Sequence, residues 1–192
     1  MNNIINKIID EYLKVFPEEN NRQEKLINFL KTFKDKEIID WNNFKGHLVA
    51  SGFIYAKKER KFLVLYHNDL KMFLYPGGHI NIEDETPFIA AKREVKEETG
   101  LIDLEVLKIA NNELIPIDID THVINYNDRL KLPEHYHFDF RYLFVVDKII
   151  EINLEKDEVS NYKWITIDEL KEDINYGKIS KKLLKFLIEK IK

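Results

Sequence analysis

The stretch REVKEETGL, residues 93–101, places Glu94, Glu97 and Glu98 within five positions of a segment whose ends carry helix signals. Thr86 is a suitable N-cap with Pro87 at the first helical position, and Gly100 is a suitable stop. On a helix the three glutamates fall within an arc of roughly 100° and so share one face. Carboxylates this close repel each other and raise one another's pKa values unless a cation sits among them. A hard divalent ion is the natural partner: Mg²⁺ or Mn²⁺ takes oxygen ligands and keeps waters, leaving positions for a phosphate oxygen and a nucleophilic water. Ala90, one turn earlier on that face, is too small to fill the space. The plain alternative is a solvated acidic face balanced by Lys92, Arg93 and Lys96. The flanking sequence favours the cation, because the glycines of PGGH, residues 76–79, let backbone approach a ligand closely. Glu85, eight residues before Arg93, is placed to tie the turn to the helix by an ion pair.

Taken from Pro76 to Leu101, PGGHINIEDETPFIAAKREVKEETGL resembles the signature of the Nudix hydrolases: a glycine, a spaced glutamate, then Arg-Glu-apolar-x-Glu-Glu-x-Gly-apolar. Arg93, Glu94, Glu97, Glu98 and Gly100 match, with Val95 and Leu101 at the apolar places. The family spaces its glycine and glutamate by five residues, whereas six lie between Gly78 and Glu85; either the loop is one residue longer or Asp84 takes the place of Glu85. The resemblance implies an α/β fold, the Nudix-type α/β/α sandwich with a mixed sheet. It also implies hydrolysis of the diphosphate linkage of a nucleoside diphosphate joined to another group, assisted by Mg²⁺ or Mn²⁺. By the same resemblance Glu94, Glu97 and Glu98 are metal ligands, Glu97 or Glu98 doubles as base, and the Gly78 carbonyl is a further ligand. Trp164 followed by Asp168, Glu169 and Leu170 resembles the family's closing strand and helix, and Glu158 sits where some Nudix enzymes carry an extra catalytic acid.

Working outward, residues 2–16 place Ile5, Ile8, Ile9, Tyr12 and Leu13 at helical spacing, and a second helix after Pro17 carries Leu26, Phe29, Leu30 and Phe33. This predicts an N-terminal helical hairpin over 1–43, outside the resemblance and suited to covering the cleft or forming a homodimer, ahead of a main domain over 44–192. GHLVASGFIYA and FLVLYH read as a strand hairpin, and LEVLKIA, LIPIDIDTHVI, HYHFDFRYLFVV and NYKWITI as further strands. In HYHFDFRYLF, His135, His137, Asp139 and Arg141 alternate with Tyr136, Phe138, Phe140, Tyr142 and Phe144, which predicts an aromatic core side and a wet polar side. Asp118, Asp120 and His122 alternate in the same way on the preceding strand. The polar side is read either as a hydrogen-bonded surface or as a wall meeting substrate or a second metal, since His-x-His on a strand can chelate. His79, beside the glycines, is placed to approach phosphates. The C-terminal stripe Ile179, Leu183, Leu187 and Ile191 predicts a docked terminal helix with a solvated lysine face.

Composition limits the alternatives. The chain has 192 residues, 44% of them hydrophobic, a net charge of −4 and a pI near 5.9, so no global attraction to duplex nucleic acid or an acidic membrane is expected. It lacks cysteine, which removes thiolate chemistry and the cysteine-dependent prenyl diphosphate isomerases of similar fold. The first residues carry Lys7, Asp10, Glu11 and Lys14 among their apolar positions, unlike a signal peptide or membrane span, and a cytoplasmic location is expected. The other reading kept open is a non-catalytic binding module of the same fold that senses a nucleotide ligand.

Overall fold

A computed structural model describes residues 1–102, 104–126, 131–154, 158–173 and 177–190. Its centre is a mixed sheet with flanking helices. The long strands β1 (His47–Ala56) and β7 (His135–Val146) pair in parallel along ten residues, from His47 opposite His137 to Ala56 opposite Val146. The other edge of β7 is shared: β6 (Asp118–Ile124) pairs with its first half and β5 (Glu105–Val106) with its second, both antiparallel. That division limits LEVLKIA, expected as a full strand, to two strand residues.

On its other side β1 meets two partners. β4 (Gly77–His79) pairs antiparallel with Val49–Ser51, and β2 (Lys61–His67) joins at Tyr55 and Ala56. The PGGH segment, expected as a plain turn, is thus a short strand whose glycines lie in register with the middle of β1. A Cβ on Gly77 would come within 2.7 Å of the Ala50 carbonyl, which explains why a residue without one stands there. β2 continues the sheet to β3 (Met72–Leu74) and β8 (Val159–Thr166).

The sequence signals of α3 (Pro87–Thr99) are met in detail. Ile89 N donates to the Thr86 hydroxyl, and Gly100 takes φ 71°, the left-handed conformation that glycine tolerates best. Val95 and Phe88 pack the helix onto β1 and β7; Phe88 lies 5.3 Å from Tyr142 between ring centroids. α1 (Asn2–Val15) and α2 (Glu24–Thr32), joined by a 3₁₀ turn over Pro17–Gln23, form the expected helical hairpin. It is not peripheral. Ile5, Tyr12, Leu26 and Leu30 belong to the same buried cluster as the sheet, and Phe29 meets Phe138 at 4.8 Å. α4 (Ile167–Lys171) opens with a capping box between Thr166 and Glu169, and α5 (Gly177–Lys190) buries Ile179, Leu183 and Leu187; Ile191 lies outside the described residues. No helix among the described residues is long and apolar enough to cross a membrane.

The polar side of β7 departs from expectation: it is largely buried. Arg141 and Asp139 are each 7% exposed and His135 is 5% exposed. Alternation separates the two sides of a strand, but it does not say which is wet when charges can pair with each other. Arg141 Nε donates to Asp139 at 2.8 Å, Nη1 to Asp118 at 3.3 Å and Nη2 to Asp120 at 3.0 Å. Arg22 of the hairpin also pairs with Asp118, and Gln23 donates to the Ile119 carbonyl at 2.8 Å.

Candidate active site

α3 presents its glutamates to the β4 glycines. Glu98, 6% exposed, accepts a hydrogen bond from Gly77 N at 2.9 Å. Glu94 lies over Gly78: a Cβ there would sit 2.8 Å from its carboxylate, so the glycine leaves the cradle open. Glu97 is the solvent-facing member, its side chain 49% exposed. Burial pushes Glu98 up to about 8 and Glu94 up to about 7, with the neighbouring carboxylates, Glu158 among them, adding to the rise. These are groups that resist ionising until a cation joins them, and a glycine cradle beside three carboxylates fits a hard divalent ion.

Arg93 ties the site together. It donates to Asp84 and to the His79 carbonyl at 2.8 Å each, to Glu94 at 2.8 Å and to Glu97 at 2.9 Å. The acid that holds Arg93 is therefore Asp84, which is 4% exposed and also accepts from Asn81 N at 2.8 Å, while Glu85 is exposed. With Asp84 in this role five residues separate the acid from Gly78, as in the family pattern, and the extra residue falls between Asp84 and Arg93. Asp84→Asn is expected to cost about 1 to 3 kcal/mol by unpairing a buried charge-assisted bond, and Glu85→Gln nothing measurable. Denaturant midpoints of the two variants decide this, and an equal loss in both would refute the assignment.

The sheet gathers histidines beside this centre. Cross-strand register sets His122 of β6 opposite His137 of β7, and His137 opposite His47 of β1. His79 of β4 reaches the same patch, its Nε2 3.2 Å from that of His47. His135 stacks on His47 at 5.0 Å, so five of the six histidines of the chain share one patch. His47 was not among the sequence candidates. It opens a strand without any local signal, and only the parallel pairing of β1 with β7 brings it into place. Asp139 and Arg141, read from the sequence either as part of a hydrogen-bonded surface or as a wall meeting substrate, are engaged with each other, Ser51, Asp118 and Asp120, a position for holding the sheet together. Glu158 is exposed and near enough to act on Glu94, Glu98 and His79.

Burial and neighbouring imidazoles hold His47 down to about 4 and His137 down to about 2. Both are neutral when folded, whereas an unfolded histidine titrates near 6.5. Below pH 6.5 the unfolded chain binds the extra protons, so their contribution to stability is complete above that pH and is lost as pH falls toward the folded values. The raised Glu94 and Glu98 act with the opposite sign over pH 5 to 7, so the informative quantity is a difference. In chelator, the stability of the native chain relative to His137→Asn is expected to fall by up to about 2 kcal/mol between pH 7 and 5. A pH-independent difference would show that His137 is not held neutral.

Comparison with known proteins agrees with the motif and the fold. The NUDIX domain family model matches residues 45–186. A probable DHNTP pyrophosphohydrolase of Lactococcus lactis subsp. cremoris is 31% identical over 141 residues, 73% of this chain and 79% of that one. An RNA pyrophosphohydrolase of Bartonella clarridgeiae is 28% identical over 123 residues, 58% of this chain and 68% of that one. Among solved structures, a C. elegans Ap4A hydrolase binary complex superposes with a TM-score of 0.56 at 21% identity, over 74% of this chain and 98% of that one, a likeness of fold. None of these supports the alternative of a non-catalytic module. With the motif, the fold and the relatives in agreement, the chain belongs to the NUDIX domain family and is a Nudix-type pyrophosphohydrolase.

Proposed function

We propose that this enzyme hydrolyses the diphosphate linkage of a nucleoside diphosphate joined to another group, with Mg²⁺ or Mn²⁺ as cofactor. The observation that carries the reading is Glu94 and Glu98 directed at the Gly77–Gly78 backbone with Glu97 beside them on the same helix, and Arg93 holding the loop to the helix. Glu94, Glu98 and Glu97 would hold the ion, with the Gly78 carbonyl as a further ligand. When bound, such an ion offsets the charge of the phosphates and lowers the pKa of water.

The protein's own part is orientation and proton handling. Arg93 fixes the carboxylates and the His79 backbone in one arrangement. Glu97, the carboxylate that solvent reaches, takes the proton of the attacking water as its oxygen bonds to phosphorus. The bond from that phosphorus to the bridging oxygen breaks, and the bridging oxygen leaves with the departing phosphate. His122, the partly exposed histidine of the neighbouring patch, would contact the substrate.

The test is a panel of nucleoside triphosphates, dinucleoside polyphosphates, ADP-ribose, nucleotide-sugars, 5′-triphosphorylated RNA and DHNTP with Mg²⁺ or Mn²⁺. The last two are included because the names of the relatives mention RNA and DHNTP. Turnover of a nucleoside diphosphate derivative, abolished by chelator, is the expected result. Turnover of DHNTP alone would replace the nucleoside with a pterin, and activity that persists in chelator would refute the role of the ion.

A further inference from the structure

We propose that His47, His79 and His137 form a second metal site, for a late first-row divalent ion of the zinc class, distinct from the carboxylate set on α3. One ring nitrogen from each of the three lies within 4.8 Å of the other two. The 3.2 Å between the Nε2 atoms of His47 and His79 is close to the nitrogen–nitrogen edge of about 3.3 Å that a tetrahedral zinc site with bonds near 2.05 Å requires. Only one proton fits between two such nitrogens, so at least one of them offers a lone pair at this point.

The ligand chemistry separates the two sites. The group on the sheet is all imidazole, which suits zinc, copper or nickel, whereas the α3 group is all carboxylate and carbonyl, which suits magnesium or manganese. The neighbouring rings are held in place. The Nδ1 of His122 is 3.0 Å from Asp120, and the Nδ1 of His135 is 2.7 Å from the Pro133 carbonyl, so the rings packed around His137 and His47 are themselves fixed. Access is graded: His47 is buried, His137 half-buried and His79 exposed, which gives an ion a route from solvent and leaves the fourth position on the exposed side. Packing alone does not call for this arrangement. Apolar side chains would fill the same space without bringing three nitrogens from three strands to one point.

The site stands whether or not the enzyme turns over the substrate class proposed above, so its test does not use activity. Full-length protein stripped with chelator is titrated with Co²⁺ alone and then with Zn²⁺ alone, beside His79→Ala, His137→Ala and Glu97→Gln. In the native chain a single equivalent of Co²⁺ is expected to develop the intense visible bands of a low-coordinate nitrogen site, which Zn²⁺ displaces and excess Mg²⁺ does not. Each histidine variant is expected to weaken Zn²⁺ binding by about 100-fold or more, and Glu97→Gln to leave it unchanged. His79 is exposed, so its variant keeps the core intact, and melting in chelator verifies this. Absence of the bands, Zn²⁺ binding untouched in both histidine variants, or binding lost in Glu97→Gln would each overturn the proposal.

Discussion

Replacing Glu97 by glutamine is expected to lower kcat by about 1,000-fold while KM and the melting temperature stay near their native values. Glu97 is the member of the α3 set whose removal separates chemistry from folding. Its side chain is 49% exposed and its recorded partner is Arg93, which keeps Asp84, Glu94 and the His79 carbonyl without it. Exposed ion pairs of this kind contribute little to stability. Glutamine preserves the shape and removes the charge and the proton acceptor. The same change at Glu98, which is 6% exposed and bonded by Gly77 N, would mix the two effects. Steady-state rates at saturating Mg²⁺, with a melting curve for each protein, test this. A loss of less than about 10-fold would remove Glu97 from the proton-transfer role.

The largest expected effect on stability comes from Arg141→Met, which should cost about 3 to 5 kcal/mol. Three separate nitrogens of Arg141 donate to three aspartates, and Asp118 among them has a side chain only 3% exposed. Removing the guanidinium leaves those carboxylates partly unpaired in a place that water does not reach well. Arg22 and Lys182 still face Asp118, so the loss falls mainly on Asp139 and Asp120. Arg141→Lys is expected to recover less than half of the loss, because an ammonium is a compact charge without a planar fork. Denaturant unfolding of the three proteins tests both statements, and full recovery by lysine would show that charge alone matters.

Local signals carried the reading as far as local forces decide the structure. The cap at Thr86, the stop at Gly100 and the glutamate spacing are properties of a single helix, and α3 has the limits they predict. The parallel pairing of β1 with β7 is not local, and nothing near His47 announces it, so the strand is legible in the sequence but the place of His47 in the histidine patch is not. The extended reading of LEVLKIA was sound as propensity, but β6 takes much of the edge of β7, and an edge can be paired only once. The polar side of β7 was identified correctly and its burial was not, because three aspartates and an arginine can satisfy one another without solvent. The choice between Asp84 and Glu85 turned on one loop residue whose direction only the folded loop decides.

The attachment of the N-terminal hairpin bears on the order in which the molecule assembles. Arg22 and Gln23 meet β6 through Asp118 and Ile119, partners 96 residues later in the chain, and Phe29 packs on Phe138, later still. A growing chain exposes the apolar faces of α1 and α2 long before anything exists to cover them, and contacts of such long range are slow to form. The hairpin is made early and secured late. Nascent chains halted before β6 should accordingly be cut by protease within residues 1–43, and chains extended past β7 should resist, with protection of the first helices arriving only with the strand that holds them.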